Sequence, residues 1–219
     1  MAFGFHRGRG RVPTIDLASP APEDAVRLAA RIRLALPAGG RVVLFTGARE
    51  GDGVTTVASR VALALAQMDQ GTVLALDANA RRPSLAPVFG LEPGPGLSDV
   101  TLKRATLDEA IQVTEVSCLS VLPMGSPPAD PVRLFAAAGL SEALAAVRSL
   151  YRFSVLDSAP LLQFADTSFL ASMADAVVVT LAAGKRRRAE LRAVQDTLAG
   201  LGATTLGVVL FDSAIWTRR

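Results

Sequence analysis

Short apolar runs alternate along this chain with longer segments whose apolar residues recur every three or four positions. The runs have the length of buried strands, and the periodic segments predict amphipathic helices. The predicted strands are Arg41–Thr46, Thr72–Asp77, Leu119–Pro123, Phe153–Asp157, Ala176–Leu181 and Thr205–Phe211. The predicted helices are Glu23–Leu36, Thr55–Gln67, Leu107–Val113, Leu140–Ser149, Asp166–Met173 and Arg188–Leu201. This alternation is typical of an α/β, doubly wound, mostly parallel sheet with helices on both faces.

The sequence predicts one domain with two short flanks. A length of 219 residues suits a single domain with a substantial core. We expect a flexible basic segment over residues 1–22, the domain over 23–212 and a short tail over 213–219. The single cysteine, Cys118, excludes an internal disulfide. No apolar run reaches the length of about 18 residues that spans a membrane, so we expect no membrane span. The single cysteine fits a reducing compartment, so we expect a cytoplasmic location.

Positive charge is grouped, although the net charge is only +3. The groups are Arg7, Arg9 and Arg11, the run Lys185–Arg188, and Arg218 with Arg219. They could contact anionic lipid or an acidic partner, or they could be solvated surface. Nucleic acid is not an expected partner, because no aromatic residues are interleaved with these arginines.

Residues 45–56 read F-T-G-A-R-E-G-D-G-V-T-T, between a predicted strand and a predicted helix. From Ala48 to Thr55 they match the phosphate-binding P-loop pattern G/A-x-x-x-x-G-K-S/T at every fixed position except Val54, which replaces the lysine. Backbone N–H groups at the start of the helix could still hold phosphate. The candidate nucleotide-binding residues of this segment are Arg49, Gly51, Gly53, Val54, Thr55 and Thr56. For Arg49, a solvated loop arginine is the alternative interpretation.

Two aspartates end predicted strands that should meet beside this loop. Asp77 follows the strand that begins at Thr72, and Asp157 follows the strand that begins at Phe153. With the Thr55 hydroxyl, these carboxylates form a candidate Mg²⁺ site, and they are also the candidate catalytic residues. Taken singly, each aspartate could instead cap the following helix.

Longer segments identify a family resemblance. The segments are L-D-A-N-A-R-R-P-S-L (76–85), G-L-S-D-V (96–100), L-P-M-G-S-P-P-A-D-P-V-R-L-F (122–135), V-L-D-S-A-P (155–160) and A-D-A-V-V-V-T-L-A-A-G-K-R-R-R-A-E-L (174–191). With the loop, they resemble bacterial tyrosine kinases of the capsule and exopolysaccharide type, within the deviant P-loop ATPases that include MinD and ParA. The resemblance implies ATP with Mg²⁺ as cofactor, and it adds Arg81 to the nucleotide-binding candidates. It also implies docking on the cytoplasmic tail of a Wzz-like membrane co-polymerase, and self-association.

The chain departs from that family's pattern at functional positions. Val54 stands at the phosphate-binding lysine, Asn79 at the second aspartate of the D-x-D-x-R motif, and Phe211 at an asparagine near the adenine. The family's tyrosine-rich tail is not seen after the domain, and Tyr151 is the only tyrosine. The ring-forming helix motif E-x-x-R-x-x-R survives only as Asp24, Arg27 and Ala30.

These departures leave three hypotheses. The first is a degenerate kinase-like subunit that regulates or scaffolds polysaccharide synthesis and export. The second is an active ATP-dependent tyrosine kinase or a weak ATPase, favoured by the residues that remain: Gly51, Gly53, Thr55, Asp77, Arg81 and Asp157. The third is a MinD- or ParA-like positioning ATPase that uses its basic groups. The loss of the loop lysine favours the first, in which nucleotide binding is weakened.

Overall fold

The computed structural model describes residues 15–17, 19–36, 41–68, 72–183 and 188–216. Most of the grouped basic residues lie outside these described ranges, namely Arg7, Arg9, Arg11, Lys185–Arg187 and Arg218–Arg219. Their roles therefore stay predictions.

Seven strands form one sheet with the order β3-β4-β2-β5-β1-β6-β7. The strands are β1 Arg41–Gly47, β2 Val73–Ala78, β3 Gln112–Val113, β4 Leu119–Leu122, β5 Phe153–Ser158, β6 Ala176–Ala182 and β7 Thr205–Phe211. Among the strands of the described ranges, only the two-residue β3 is antiparallel to its neighbour. The predicted α/β fold with a mostly parallel sheet is confirmed. The six predicted strands lie within one residue of their observed bounds, and β3 was not predicted.

The helices agree with the periodic segments, with one exception. They are α1 Glu23–Ala35, α2 Val54–Met68, α3 Leu85–Val88, α4 Leu97–Thr101, α5 Leu107–Ala110, α6 Pro131–Phe135, α7 Ala138–Leu150, α8 Asp166–Met173, α9 Arg188–Gly200 and α10 Ser213–Trp216. The predicted helix Leu107–Val113 is wrong after Ala110, because Ile111 is extended and the next two residues pair with β4. The short helices α3, α4, α6 and α10 were not predicted, because four or five residues are too few to show a period.

Alternate residues of β1 enter two cores, one on each face of the sheet. Val43 and Phe45 join a core with α1, α2 and α3. Val42 and Leu44 join a second core with α7, α8 and α9. Both faces of β1 are therefore covered by helices. The loop after β1 lies beyond the carboxyl end of the strand, which is where ligands bind to sheets of this kind.

Part of the lead-in that precedes α1 contacts the domain. Ile15 is buried and its N–H donates to the Val88 carbonyl over 2.9 Å. Ala21 is also buried and its N–H donates to Gln67 Oε1 on α2. Residues 1–14 lie outside the described ranges. Within the ranges described, no helix is long and apolar enough to cross a lipid bilayer.

Candidate functional site

The loop between β1 and α2 follows the carboxyl end of an interior strand, because β1 is flanked by β5 and β6. Gly51 and Gly53 have φ angles of +89° and +79°, a conformation that residues with a Cβ rarely adopt. Within the described ranges no acceptor binds the N–H groups of Gly53, Val54, Thr55 and Thr56. These N–H groups begin a 15-residue helix, so the loop keeps the backbone of an anion site.

Val54 has turned its side chain into the protein interior. It is 8% exposed and belongs to the same apolar core as Val57 and Ala58. A lysine at this position of a phosphate loop would extend towards the phosphates. The valine packs instead, and it gives the loop no positive charge.

Thr55 and Asp157 are in direct contact below the loop. Thr55 Oγ1 donates to Asp157 Oδ2 over 2.6 Å and lies 3.3 Å from Ser84 Oγ. The other carboxylate oxygen, Asp157 Oδ1, is buried without a hydrogen-bond partner in the described structure. A buried acceptor without a donor is costly, so this oxygen is suited to a cation or to the water that a cation holds.

Asp77 lies beside Asp157, as its register partner on the adjacent strand β2. One Asp77 oxygen accepts the Asn79 N–H, and the other accepts the N–H groups of Ser84 and Leu85. Burial raises the pKa of Asp77 to about 6, against the lowering effect of these three donors. Burial, followed by repulsion from Asp77, raises the pKa of Asp157 well above its ordinary value.

The oxygen donors at the carboxyl ends of β2 and β5 fit a Mg²⁺ ion only in part. Thr55, Asp77 and Asp157 meet here as the sequence predicted, and hard oxygen ligands are what Mg²⁺ prefers. However, the described residues contain no group of three or more His, Cys, Asp or Glu side chains that could hold a metal. Mg²⁺ at this site would therefore need oxygens from a phosphate as well.

The turn after β2 holds Asn79 and Arg81 in structural contacts. Asn79 Oδ1 accepts the Arg82 N–H, so its amide stabilises the turn. Arg81 Nη2 lies 3.2 Å from Asp166 Oδ1, and its guanidinium stacks 4.6 Å from the centre of the Phe164 ring. Asp166 is 1% exposed. The positive charge of Arg81 is thus paired with a buried carboxylate.

Arg49 and Glu50 attach the outer part of the loop to neighbouring elements. Arg49 Nη2 lies 2.5 Å from Glu190 Oε1 on α9, and its side chain is largely exposed. Glu50 pairs with Arg82 over 3.0 Å, and the Glu50 N–H donates to Gln163 Oε1. Arg49 is therefore an exposed loop arginine that pairs with Glu190, and its role in nucleotide binding stays a prediction.

Asp52 is a functional candidate that the sequence analysis missed. It is 1% exposed, and its Oδ2 accepts the N–H groups of Ala48 and Arg49 over 2.9 Å each. Its Oδ1 accepts the N–H of Ala182, at the end of β6, over 3.0 Å. The sequence did contain a signal, because Asp52 stands between two glycines of the phosphate loop. A carboxylate at that position would repel a phosphate unless N–H groups of the protein donate hydrogen bonds to it.

The aromatic ring of Phe211 lies against the loop at Gly53. A Cβ built on Gly53 would be 2.3 Å from Phe211 Cγ and 2.5 Å from Cδ1 and Cδ2. The ring is therefore in contact with the Gly53 Cα. Phe211 is the last residue of β7 and pairs in register with Ala182, the residue that donates to Asp52.

Known proteins resemble this chain over most of its length, although no family model matches it. Tyrosine-protein kinase YwqD of Bacillus subtilis is 30% identical over 168 residues, which are 77% of this chain and 70% of the relative. The crystal structure of the VpsO kinase domain has a TM-score of 0.78 at 30% identity, over 85% of this chain and 93% of that chain. MinD of Pyrococcus horikoshii, solved with Mg-ADP, has a TM-score of 0.67 at 24% identity, over 78% and 69%, and shows the shared fold.

Proposed function

This chain belongs to the family of bacterial tyrosine-protein kinases, and on that premise we propose that it is a kinase-like subunit without effective phosphoryl transfer. It would act by binding, as a regulator or scaffold of capsule or exopolysaccharide synthesis and export. The unit that carries this role is the kinase-like domain over residues 23–212, between the flanks 1–22 and 213–219.

The observation that carries the proposal is the burial of Val54 in an apolar core. A lost charge-assisted phosphate contact weakens binding by roughly 1.5–3 kcal/mol, or about ten- to a hundredfold. The transferring phosphoryl group also loses an electrostatic contact of a kind worth about 10²–10³ in rate. Nothing in the contacts of Val54 offsets either loss.

The arginines around the loop do not replace the missing lysine. Arg49 is paired with Glu190, Arg81 with Asp166 and Arg82 with Glu50. Each of these cations would have to leave a carboxylate before it could serve a phosphate. The cost of that exchange is greatest for Arg81, because it would leave a buried acid unpaired.

A general base for a tyrosine hydroxyl is also lacking at position 79. The Asn79 amide cannot accept a proton, and its oxygen is already hydrogen-bonded to the Arg82 N–H. The nearby Asp77 carboxylate accepts three backbone N–H groups, which leaves it little capacity for catalysis.

The partner that we propose is the cytoplasmic tail of a Wzz-like membrane co-polymerase, with self-association as a further mode. The chain would then be cytoplasmic and held at the inner membrane through that partner. If ATP or ADP binds with Mg²⁺, as Mg-ADP does in the Pyrococcus MinD structure, the contacts come from the loop N–H groups, Thr55, Asp77 and Asp157. That binding is weak and is not required for docking.

A phosphotyrosine assay with Mg-ATP tests this function directly. The natural chain is incubated with and without the co-polymerase tail, and Asp157→Ala serves as the inactive control. We expect no phosphotyrosine above the Asp157→Ala background, and equal capture of the tail with and without Mg-ATP. Phosphotyrosine that disappears in Asp157→Ala, or failure to capture the tail, would contradict the proposal.

The second candidate function is an active kinase or a weak ATPase. It is favoured by the Thr55–Asp157 contact and by the unpartnered Asp157 Oδ1, which keep the Mg²⁺ side of the site in place. The same assay, with phosphate release measured in parallel, distinguishes it from the first.

A further inference from the structure

The two glycines of the loop with positive φ differ in what faces them. A Cβ built on Gly51 would meet nothing within 4 Å. A Cβ built on Gly53 would meet three ring carbons of Phe211 at 2.3–2.5 Å, well inside van der Waals contact. The space in front of Gly53 is therefore filled by a side chain from β7, far away in the sequence.

In a phosphate-binding loop, the space in front of such a glycine is where the ligand approaches the backbone. Glycine is required there because the backbone must approach a ligand so closely that no side chain fits. Gly53 directly precedes the free N–H groups at the start of α2, which are the groups that would hold the phosphates. A ring in contact with Gly53 thus lies where a bound nucleotide would approach.

Backbone contacts fix the strand end that carries the Phe211 ring. The Phe211 carbonyl accepts the Ala183 N–H over 2.7 Å. In the short helix that follows, the Trp216 N–H donates to the Asp212 carbonyl, and Trp216 is buried in the core that also contains α2. On the other side, Asp52 ties the loop to Ala182, the register partner of Phe211. The loop and the ring are consequently fixed to the same pair of strand ends.

We infer that Phe211 is an intramolecular plug of the nucleotide site, which a Mg²⁺-bound nucleoside diphosphate or triphosphate must displace in order to bind. The inference rests on the proposed function and deepens it, because the site is then closed in two independent ways: by the loss of the lysine at Val54 and by the ring of Phe211. The ring is only partly buried, so rotation of its side chain can open the site.

The test is a titration with Mg-ADP by calorimetry on four proteins: the natural chain, Val54→Lys, Phe211→Ala, and the double variant. Leu210→Ala, combined with Val54→Lys, is the matched control, because Leu210 is 67% exposed on the same strand. We expect the double variant to bind at least tenfold more tightly than Val54→Lys alone. The Leu210→Ala control should leave the affinity of Val54→Lys unchanged.

A second measurement, the NMR chemical shift of the Gly53 amide proton, tests the inference even if one of the variants folds poorly. In the natural chain, the amide proton of Gly53 should carry a ring-current shift in a nitrogen–proton correlation spectrum. This shift should disappear in Phe211→Ala, and it should also disappear when Mg-ADP saturates Val54→Lys. If it persists in the saturated protein, the ring is not displaced and the inference is wrong.

The remaining outcomes separate the two proposals. If Val54→Lys binds as tightly as the double variant, the plug is overturned while the loss of function through Val54 still stands. If Phe211→Ala weakens binding, the ring is a stacking platform for the base and the plug is again overturned. Phosphoryl transfer by the natural chain would overturn the proposed function, whatever the result for Phe211.

Discussion

Asp77 on β2 lies directly opposite Asp157 on β5, and both carboxylates are buried at the end of the sheet where the loop lies. Two acids this close without a resident counter-charge from the described side chains resist ionisation together. The arrangement retains the geometry of a cation site, and it has a measurable cost in stability.

The Asp77–Asp157 pair predicts that stability falls as the pH rises from about 4 through about 6, the folded-state pKa of Asp77. Both carboxyl groups have a raised pKa in the folded state, so the folded protein binds more protons than the unfolded chain in this window. The free energy of unfolding therefore decreases as they ionise, by roughly 3 kcal/mol for Asp77 alone, since its pKa is raised from 3.8 to about 6 and each unit is worth about 1.4 kcal/mol. Urea unfolding at several pH values measures this decrease.

Asp157→Asn isolates the contribution of the pair from that of other acids. We expect the variant to gain stability relative to the natural chain as the pH increases, because it removes the repulsion. Asp196→Asn, on the exposed surface of α9, should show a constant difference from the natural chain. Parallel pH curves for Asp157→Asn and the natural chain would show that the two carboxylates do not interact.

Asp52→Ala should destabilise the protein by about 2–4 kcal/mol, because three backbone N–H groups lose a charged acceptor. Hydrogen exchange should accelerate at the amides of Ala48, Arg49 and Ala182 before it changes elsewhere. Asp196→Ala is the control and should stay within about 0.5 kcal/mol of the natural chain. Unchanged exchange at Ala48 and Arg49 would mean that the loop does not depend on Asp52.

Gly53→Ala and Phe211→Ala should interact in a double-mutant cycle of unfolding free energies. In the natural background, Gly53→Ala adds a steric conflict with the ring to the penalty of about 1 kcal/mol for an alanine at positive φ. In the Phe211→Ala background only the φ penalty remains, so we expect an interaction energy of about 1 kcal/mol or more.

The control for that cycle is Gly51→Ala, since Gly51 has a similar φ and open space in front of it. Its cost should be the same with and without the Phe211 ring. Equal costs for Gly53→Ala in the two backgrounds would place the ring away from the loop in solution.

Arg81→Met should cost about 2–4 kcal/mol, because it leaves the buried Asp166 carboxylate without its cation. Adding Asp166→Asn should recover part of this loss. Arg82→Met is the matched control: the Arg82–Glu50 pair is exposed on both sides, and such pairs are worth about 0–1 kcal/mol. Similar losses for both single variants in urea unfolding would count against a special role for the Arg81–Asp166 pair.

The longer elements could be predicted because each carries its own period. Local patterns of apolar residues predicted the strands around Phe45 and Val178 and the helices α2 and α9. The family was recognised from segments such as 155–160. The acids Asp77 and Asp157 were placed correctly beside Thr55, because parallel strands bring their carboxyl ends to one edge. Their roles in binding and catalysis stay predictions.

The contacts that close the loop could not be predicted, because they are tertiary. Nothing near Phe211 in the sequence indicates that its ring meets Gly53, and nothing near Arg49 indicates Glu190. Asn79 was interpreted only as a lost base, whereas its amide oxygen also accepts the Arg82 N–H in the turn after β2. In each case, the partner is chosen by the packing of strand ends and not by a local motif.

Asp52 gives the loop an anion of its own. Its carboxylate meets the N–H groups of Ala48 and Arg49 permanently, as a bound anion would do only when present. Proteins whose loops are ordered by a ligand gain stability by mass action and lose it when that ligand becomes scarce. In this chain the organising charge is the side-chain carboxylate of Asp52, so we expect the folded population not to depend on the cellular concentrations of ATP and ADP.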